Sequence, residues 1–210
     1  MTEEMSIPQY FAGKNIFVTG ATGFIGKALV EKLLRSCPDA KKGSSPWQRV
    51  KAITDAPVNI VYHVAASVRF DDSLKDAVIM NTRGTREVVE LCKKMKRLDV
   101  LLYYSTMYCN TDRLVVDAQI YPSIADWRET IELVEKADPY VLQALEQKYI
   151  HPLPNTYTFS KQLAEHVVND LCDGQIPVVI GRPSIVVISV RIVRNSYERK
   201  LQVTLNEDKL

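Results

Sequence analysis

The sequence predicts an α/β fold built on a doubly wound parallel sheet. Three observations carry that expectation. A β-rich run, "NIFVTG", passes through a glycine turn into a helical stretch; two further apolar runs, "VNIVYHVAA" and "DVLLYYST", are separated by a helical pattern; and strand and helix keep alternating as far as "IPVVIGRPSIVV". That order folds into parallel strands joined by crossover helices.

The first strand, "NIFVTG", leads into "GKALVEKLLR", where Ala28, Leu29, Leu33 and Leu34 fall near helical spacing, giving the front half of a βαβ unit. From Ser36 to Pro57 the chain turns polar. "SCPDAKKGSSP" reads as loop and "WQRVKAI" as at most a short helix, with no readable strand. "VNIVYHVAA" is almost continuously apolar, which suits a strand buried on both faces, and "LKDAVIMNTRGTREVVELCKKMK" has the spacing and basic end of a helix. "DVLLYYST" is a third strand that stops at two hydroxyls.

About fifty residues separate Tyr108 from Tyr157, a long insertion for such a connection. Within it "IADWRETIELVEKAD" and "PYVLQALEQKY" are amphipathic at helical spacing. "TYTFSKQLAEHVVNDLC" then reads as a helix and "IPVVIGRPSIVV" as a fourth strand, while residues 188–210 show no periodicity. The expected organisation is one domain over 1–187 and an unassigned tail over 188–210.

Composition narrows the function. With 46% hydrophobic residues the chain can build a core, and a net charge of +2 with signs interspersed excludes a basic nucleic-acid surface. Cys37, Cys92, Cys109 and Cys172 lie far apart without a metal-ligand pattern, which favours free thiols in a reducing compartment and no metal. The opening "MTEEMSIPQY" carries acids where a secretory signal needs an apolar core, and the longest apolar runs fall short of the ~18 residues of a membrane span. A soluble or peripheral chain is expected.

Gly20, Gly23 and Gly26 are three of only eight glycines, and they stand between a strand and a helix. A side chain at Gly20 would obstruct the tight turn, one at Gly23 would keep N–H groups from a phosphate, and one at Gly26 would hold the helix off its strand. Free N–H groups and the helix dipole favour a diphosphate. The cofactor-binding turn therefore comprises Thr19, Gly20, Thr22, Gly23, Phe24, Ile25 and Gly26 of a Rossmann-like domain; the competing interpretation is a glycine turn with no ligand.

Tyr157 and Lys161 stand four apart on one helical face. Chance produces the same spacing at Tyr10 and Lys14, ahead of the first strand. The later pair differs by position, because it opens a helix that comes after the strand ending in Ser105 and Thr106. A phenol of ordinary pKa near ~10 transfers protons poorly at neutral pH, and a neighbouring ammonium is expected to lower that value. Tyr157 is then the general acid, Lys161 its electrostatic partner and a ribose ligand, and Ser105 or Thr106 a second oxyanion donor. An ordinary exposed Tyr and Lys on a helix is the alternative.

Taken together, "TGATGFIG", "HVAASVRFD", "NTRGT", "YYSTMYCN", "YTFSK" and "GRPSIVV" resemble the fatty acyl-CoA reductases of animals, within the extended short-chain dehydrogenase/reductases. The resemblance covers most of Tyr10 to Val187. It implies reduction of a long-chain fatty acyl-CoA to a fatty alcohol by NADPH in two hydride transfers, with Tyr157 and Ser105 or Thr106 holding the oxyanion. It also implies that His63, Ala65 and Ala66 line the cofactor, that Asn81 opens the next helix beside it, and that Arg182, Pro183 and Ser184 close over the nicotinamide end. Taken without the family, His63 reads better as a hydrogen-bonded core histidine, whereas a guanidinium at the apolar strand end of Arg182 requires a partner. Homo-oligomers remain open as partners, and relatives reside at peroxisomal or endoplasmic-reticulum membranes.

The chain departs from that pattern in two places. Family members place a second strand after the first helix and a third before "VNIVYHVAA", and neither is readable here. "KKGSSPWQR" resembles the segment that normally succeeds the second strand, and Asp39 does not count as a ribose ligand because "LRSCP", not a strand, precedes it. The "NIFVTG" strand is then expected at an exposed sheet edge, with Lys27, Lys41 and Lys42 as replacement phosphate contacts. The tail "ISVRIVRNSYERKLQVTLNEDKL" also matches nothing in the family, whose members are more than twice as long, so the chain reads as a shortened product. A non-catalytic remnant that binds nucleotide or a full-length partner is the second hypothesis. A sugar-epimerase type is a third, disfavoured by the long insertion before the tyrosine.

Overall fold

Four parallel strands end level at one edge of the sheet, and the glycine turn, Ala65, Thr106 and Arg182 come directly after those ends. The computed structural model describes residues 6–37 and 57–184, with the backbone of two short strands beyond them. In chain order the elements are α1 (Ile7–Phe11), β1 (Asn15–Thr19), α2 (Phe24–Ser36), β2 (Val58–His63), α3 (Leu74–Ala77), a π-type segment (Val78–Arg83), α4 (Gly84–Lys93) and β3 (Val100–Tyr104). A 3-10 turn (Met107–Asn110), α5 (Trp127–Lys136), α6 (Pro139–Ile150), α7 (Thr156–Cys172), β4 (Val178–Gly181), β5 (Val186–Ile188) and β6 (Val203–Leu205) complete it. The sheet order is β1-β2-β3-β4, all parallel, with Thr19, His63, Tyr103 and Ile180 side by side across it. This is the Rossmann-like α/β sheet that the sequence predicts. Among the described residues β1 stands at the edge of the sheet. Residues 38–56, with "WQRVKAI", Asp39, Lys41, Lys42 and the place of the two unread strands, lie outside the described residues.

Two expectations change in detail. The helix expected over "LKDAVIMNTRGTREVVELCKKMK" is interrupted by the π-type segment, where the Gly84 N–H reaches back five residues to the Ile79 carbonyl. The added residue turns Asn81 and Thr82 toward α7, where they bond the Ser160 hydroxyl and carbonyl at 3.0 and 2.9 Å; a 3.6-residue period cannot reveal such a bulge. The run "IPVVIGRPSIVV" forms two strands, because Pro183 has no N–H to continue a ladder. The second of them, β5, pairs antiparallel with β6, inside the tail where no pattern was expected.

The core has two parts that share α7. One packs the sheet against α4 and α7 through Val61, Leu101, Tyr103, Val89, Ala164 and Val168. The other packs the insertion helices α5 and α6 against α3 and α7 through Leu74, Val78, Ile131, Val134, Phe159 and Leu163. Asp126, Asp138 and Asn155 accept N–H bonds at the starts of α5, α6 and α7, so each helix has a polar start before its apolar stripe. Phe159 is fully buried between the insertion and α7, whereas Leu145 of α6 is 44% exposed. Phe159→Ala should cost about 3–5 kcal/mol in urea unfolding, and Leu145→Ala less than about 1 kcal/mol.

Candidate active site

The glycine turn comes directly after β1 and uses its three glycines differently. Gly20 has φ +72°, and a Cβ there would lie 2.6 Å from the Ala65 nitrogen; at Gly26 it would lie 2.1 Å from the Gly20 carbonyl oxygen. Neither position tolerates a side chain. At Gly23 a Cβ would meet only that same oxygen, at 3.2 Å. Gly23 caps α2 with no side chain to satisfy the helix's first N–H groups, and Thr22, Gly23 and Phe24 are exposed. Bare backbone at a helix N-terminus, closed behind by tight packing, is a cradle that fits a dinucleotide's diphosphate.

Behind the turn, His63 ties β1 to β2 and to α4. The Thr85 hydroxyl donates to the Asn81 carbonyl at 2.6 Å, so His63 Nε2–H donates to Thr85 Oγ1 at 3.0 Å. The other ring nitrogen, Nδ1, then accepts from the Thr19 hydroxyl at 2.7 Å, and Thr19 Oγ1 accepts from the Ala65 N–H at 3.3 Å. This chain sets the neutral tautomer. Burial, with the Lys161 charge adding, lowers the His63 pKa to about 3.

The hydroxyls and the tyrosine meet beyond β3. Ser105 N–H donates to the Gly181 carbonyl at 2.7 Å and Met107 N–H to the Pro183 carbonyl at 3.1 Å, which fixes Thr106 between them alongside the end of β4. Tyr157 and Lys161 occupy the first turns of α7. The Lys161 ammonium is buried, donates to the Tyr104 carbonyl at 2.6 Å and lies 4.3 Å from the centre of the Tyr103 ring. Desolvation lowers its pKa to about 8. For Tyr157 the expected direction reverses: burial raises the phenol's pKa, opposed by the Thr106 side chain. Lys161 spends its charge on Tyr104 and Tyr103, so the phenol keeps its proton at neutral pH.

A family model described as male sterility protein, an NAD-binding domain, matches residues 18–55 and 44–202. Fatty acyl-CoA reductase 1 of Xenopus laevis is 35% identical over 232 aligned residues, covering 87% of this chain and 45% of the relative. The human protein of that name is 34% identical with the same coverage. The chain is a member of the fatty acyl-CoA reductase family. It spans about 45% of the length of these curated relatives. The aligned length exceeds its own 210 residues, so the relatives carry internal residues without a counterpart here. By fold it is similar to the terminal R domain of the myxalamid PKS-NRPS pathway, with TM-score 0.57, 23% identity and coverage of 82% and 49% of the two chains. It is likewise similar to UDP-glucuronic acid 4-epimerase from Bacillus cereus with NAD, with TM-score 0.57, 20% identity and coverage of 83% and 57%.

In this family member, Ala65 and Ala66 are exposed just beyond β2, opposite the turn. Asn81 is buried and holds the Ser67 backbone. His63 is a core histidine by its contacts, as the residue-level reading favours. Pro183 and Ser184 come after β4, but the Arg182 guanidinium is taken up by a residue the sequence analysis missed, Glu165, through bonds of 2.8 and 2.7 Å. Glu165 is 2% exposed and also accepts from the Ser105 hydroxyl and, at 3.2 Å, from the Cys109 thiol. Arg182 donates onward to the Asp117 and Gln119 carbonyls at 3.0 and 2.8 Å, clamping the insertion to the site. Glu165 stands four residues after Lys161, as Lys161 stands four after Tyr157, and that repeat was its signal. Among the described residues no cluster of His, Cys, Asp or Glu could hold a metal, and no helix is long and apolar enough to cross a membrane.

The lowered His63 value sets a stability window. As pH falls from about 6.5 to about 3 the unfolded chain takes up a proton that the folded chain refuses, so folding stability drops across that window, by at most about 1.4 kcal/mol per pH unit. His63→Gln should flatten the upper part of that slope in urea titrations at stepped pH.

Proposed function

We propose that this domain binds NADPH across the glycine turn and reduces the thioester of a long-chain fatty acyl-CoA to the alcohol. The observation that carries this reading is the convergence of Thr106, Tyr157 and Lys161 at the level strand ends that also present the turn. The first N–H groups of α2 hold the diphosphate, and Lys27, exposed one turn beyond Gly23, supplies positive charge toward the adenosine phosphate that distinguishes NADPH from NADH. The bound NADPH supplies hydride. Tyr157 donates its proton to the carbonyl oxygen as negative charge develops there, and the Thr106 hydroxyl is the second donor. Ser105 does not fill that role, because its hydroxyl is given to Glu165. Lys161, anchored on the Tyr104 carbonyl, has further N–H donors with which to reach the ribose. The C–S bond then breaks as the new hydroxyl's proton passes to the departing sulfur, leaving CoA thiol and an aldehyde; after NADP⁺ is exchanged for a second NADPH and Tyr157 regains a proton from solvent, a second hydride and the same donors give the alcohol.

A second reading, a nucleotide-binding domain without turnover, is favoured by the internal residues that relatives have and this chain lacks. NADPH fluorescence titration and then an assay with palmitoyl-CoA separate the two: binding with turnover supports the reductase, and binding alone supports the second. Tyr157→Phe should abolish turnover and leave NADPH affinity unchanged; an active Phe variant removes Tyr157 as the acid. Gly23→Ala should lower the unfolding midpoint modestly, since its Cβ meets one backbone oxygen at 3.2 Å and Ala caps a helix less well than Gly, and weaken NADPH binding by roughly tenfold through the lost approach to the diphosphate.

A further inference from the structure

The loop between β2 and α3 is tied to the rest of the fold at Ser67 and Asp72, yet it presents two large apolar side chains to solvent. Asn81 mimics a strand partner for Ser67, accepting its N–H at 2.8 Å and donating to its carbonyl at 3.0 Å. The Ser67 hydroxyl donates to Asp72, whose carbonyl accepts from the Thr156 hydroxyl at 2.8 Å, one residue before Tyr157. Glu146 of the insertion accepts the Leu74 N–H at 2.8 Å. Between these anchors Val68 is 68% and Phe70 66% exposed. The Phe70 ring lies against the Tyr157 ring, with centroids 5.5 Å apart and planes tilted by 47°.

Resting on the reductase reading, we infer that Phe70, with Val68 beside it, is a specificity-determining lip that receives the first methylenes of the acyl chain. A carbonyl bonded to the Tyr157 hydroxyl places one of its two substituents along that ring, where Phe70 stands. Charge decides which substituent passes there. Arg69 is paired with both Asp71 and Asp72, so the loop carries one cation against two carboxylates and repels the phosphates of CoA. Apolar carbons suit the exposed Phe and Val faces, and their burial there removes apolar surface from water on both partners. The CoA arm leaves by the opposite side.

The test measures binding to the full chain loaded with NADP⁺, using hexadecyl-CoA thioether, which cannot be reduced, and free CoA. Wild type should prefer the hexadecyl compound. Phe70→Ala should cut that preference roughly tenfold while CoA and NADP⁺ affinities stay unchanged, and Phe70→Leu should restore most of it; Phe70 is mostly exposed, so these variants fold. A Phe70→Ala variant that keeps the full preference overturns the lip, as does one that loses CoA affinity equally. NADP⁺ binding without any preference in wild type overturns the lip and leaves the cofactor site standing. A wild type that binds no NADP⁺ removes the reductase reading itself, and the lip with it.

Discussion

The burial of most of one helix between two cores is the constraint on which the site depends. α7 lies between the sheet and the insertion helices, with Ala164 and Val168 turned toward one core and Phe159, Leu163 and Val167 toward the other. Its remaining face carries Tyr157, Lys161 and Glu165, one turn apart, so the two hydrophobic contacts set the rotation of all three polar groups together. Positioning comes from packing that is remote from the chemistry. The long insertion is therefore structural at its helices, because without α5 and α6 one side of α7 would face water.

Polar ties then connect that helix to the strand ends. Glu165 and Arg182 form a buried pair that reaches Ser105 on one side and the insertion carbonyls on the other. Such a pair contributes little net stability against an apolar substitute, but losing one partner strands a buried charge at a cost of about 3–5 kcal/mol, which makes its geometry hard to abandon. The His63 chain does the same for the cofactor side, linking Thr19 ahead of the glycine turn to Ala65 and Asn81. Both ends of the crevice are thus fixed before any ligand arrives.

Much of this was legible in the sequence, because apolar periodicity and glycine spacing report local backbone requirements. The four strands of the parallel sheet, the insertion helices and the turn can be read from such patterns. What escaped was long-range. Glu165 looks like any acid on an amphipathic helix until its neighbours from β3 and β4 are known. The π-type segment has no signature in a 3.6-residue period, and Pro183 inside an apolar run was absorbed into a single strand. The sequence also assigns the electrostatics of Tyr157 to the nearest cation along the chain, whereas the Lys161 head lies on Tyr104 and Tyr103. The Tyr10 and Lys14 pair illustrates the same lesson, since identical spacing there yields only a surface cation–π contact and an ion pair to Asp99.

The most direct test of a crevice preset by α7 is an amide NMR titration of the isotope-labelled chain with NADP⁺. If α7 and the turn form one site, the amides of Gly23, Phe24 and Ile25 at one end and those of Ala66, Thr106 and Tyr157 at the other will shift together, along a single saturation curve. Shifts confined to the turn, or two groups saturating at different concentrations, would mean that the strand ends do not share a ligand and that the active site does not exist as a unit.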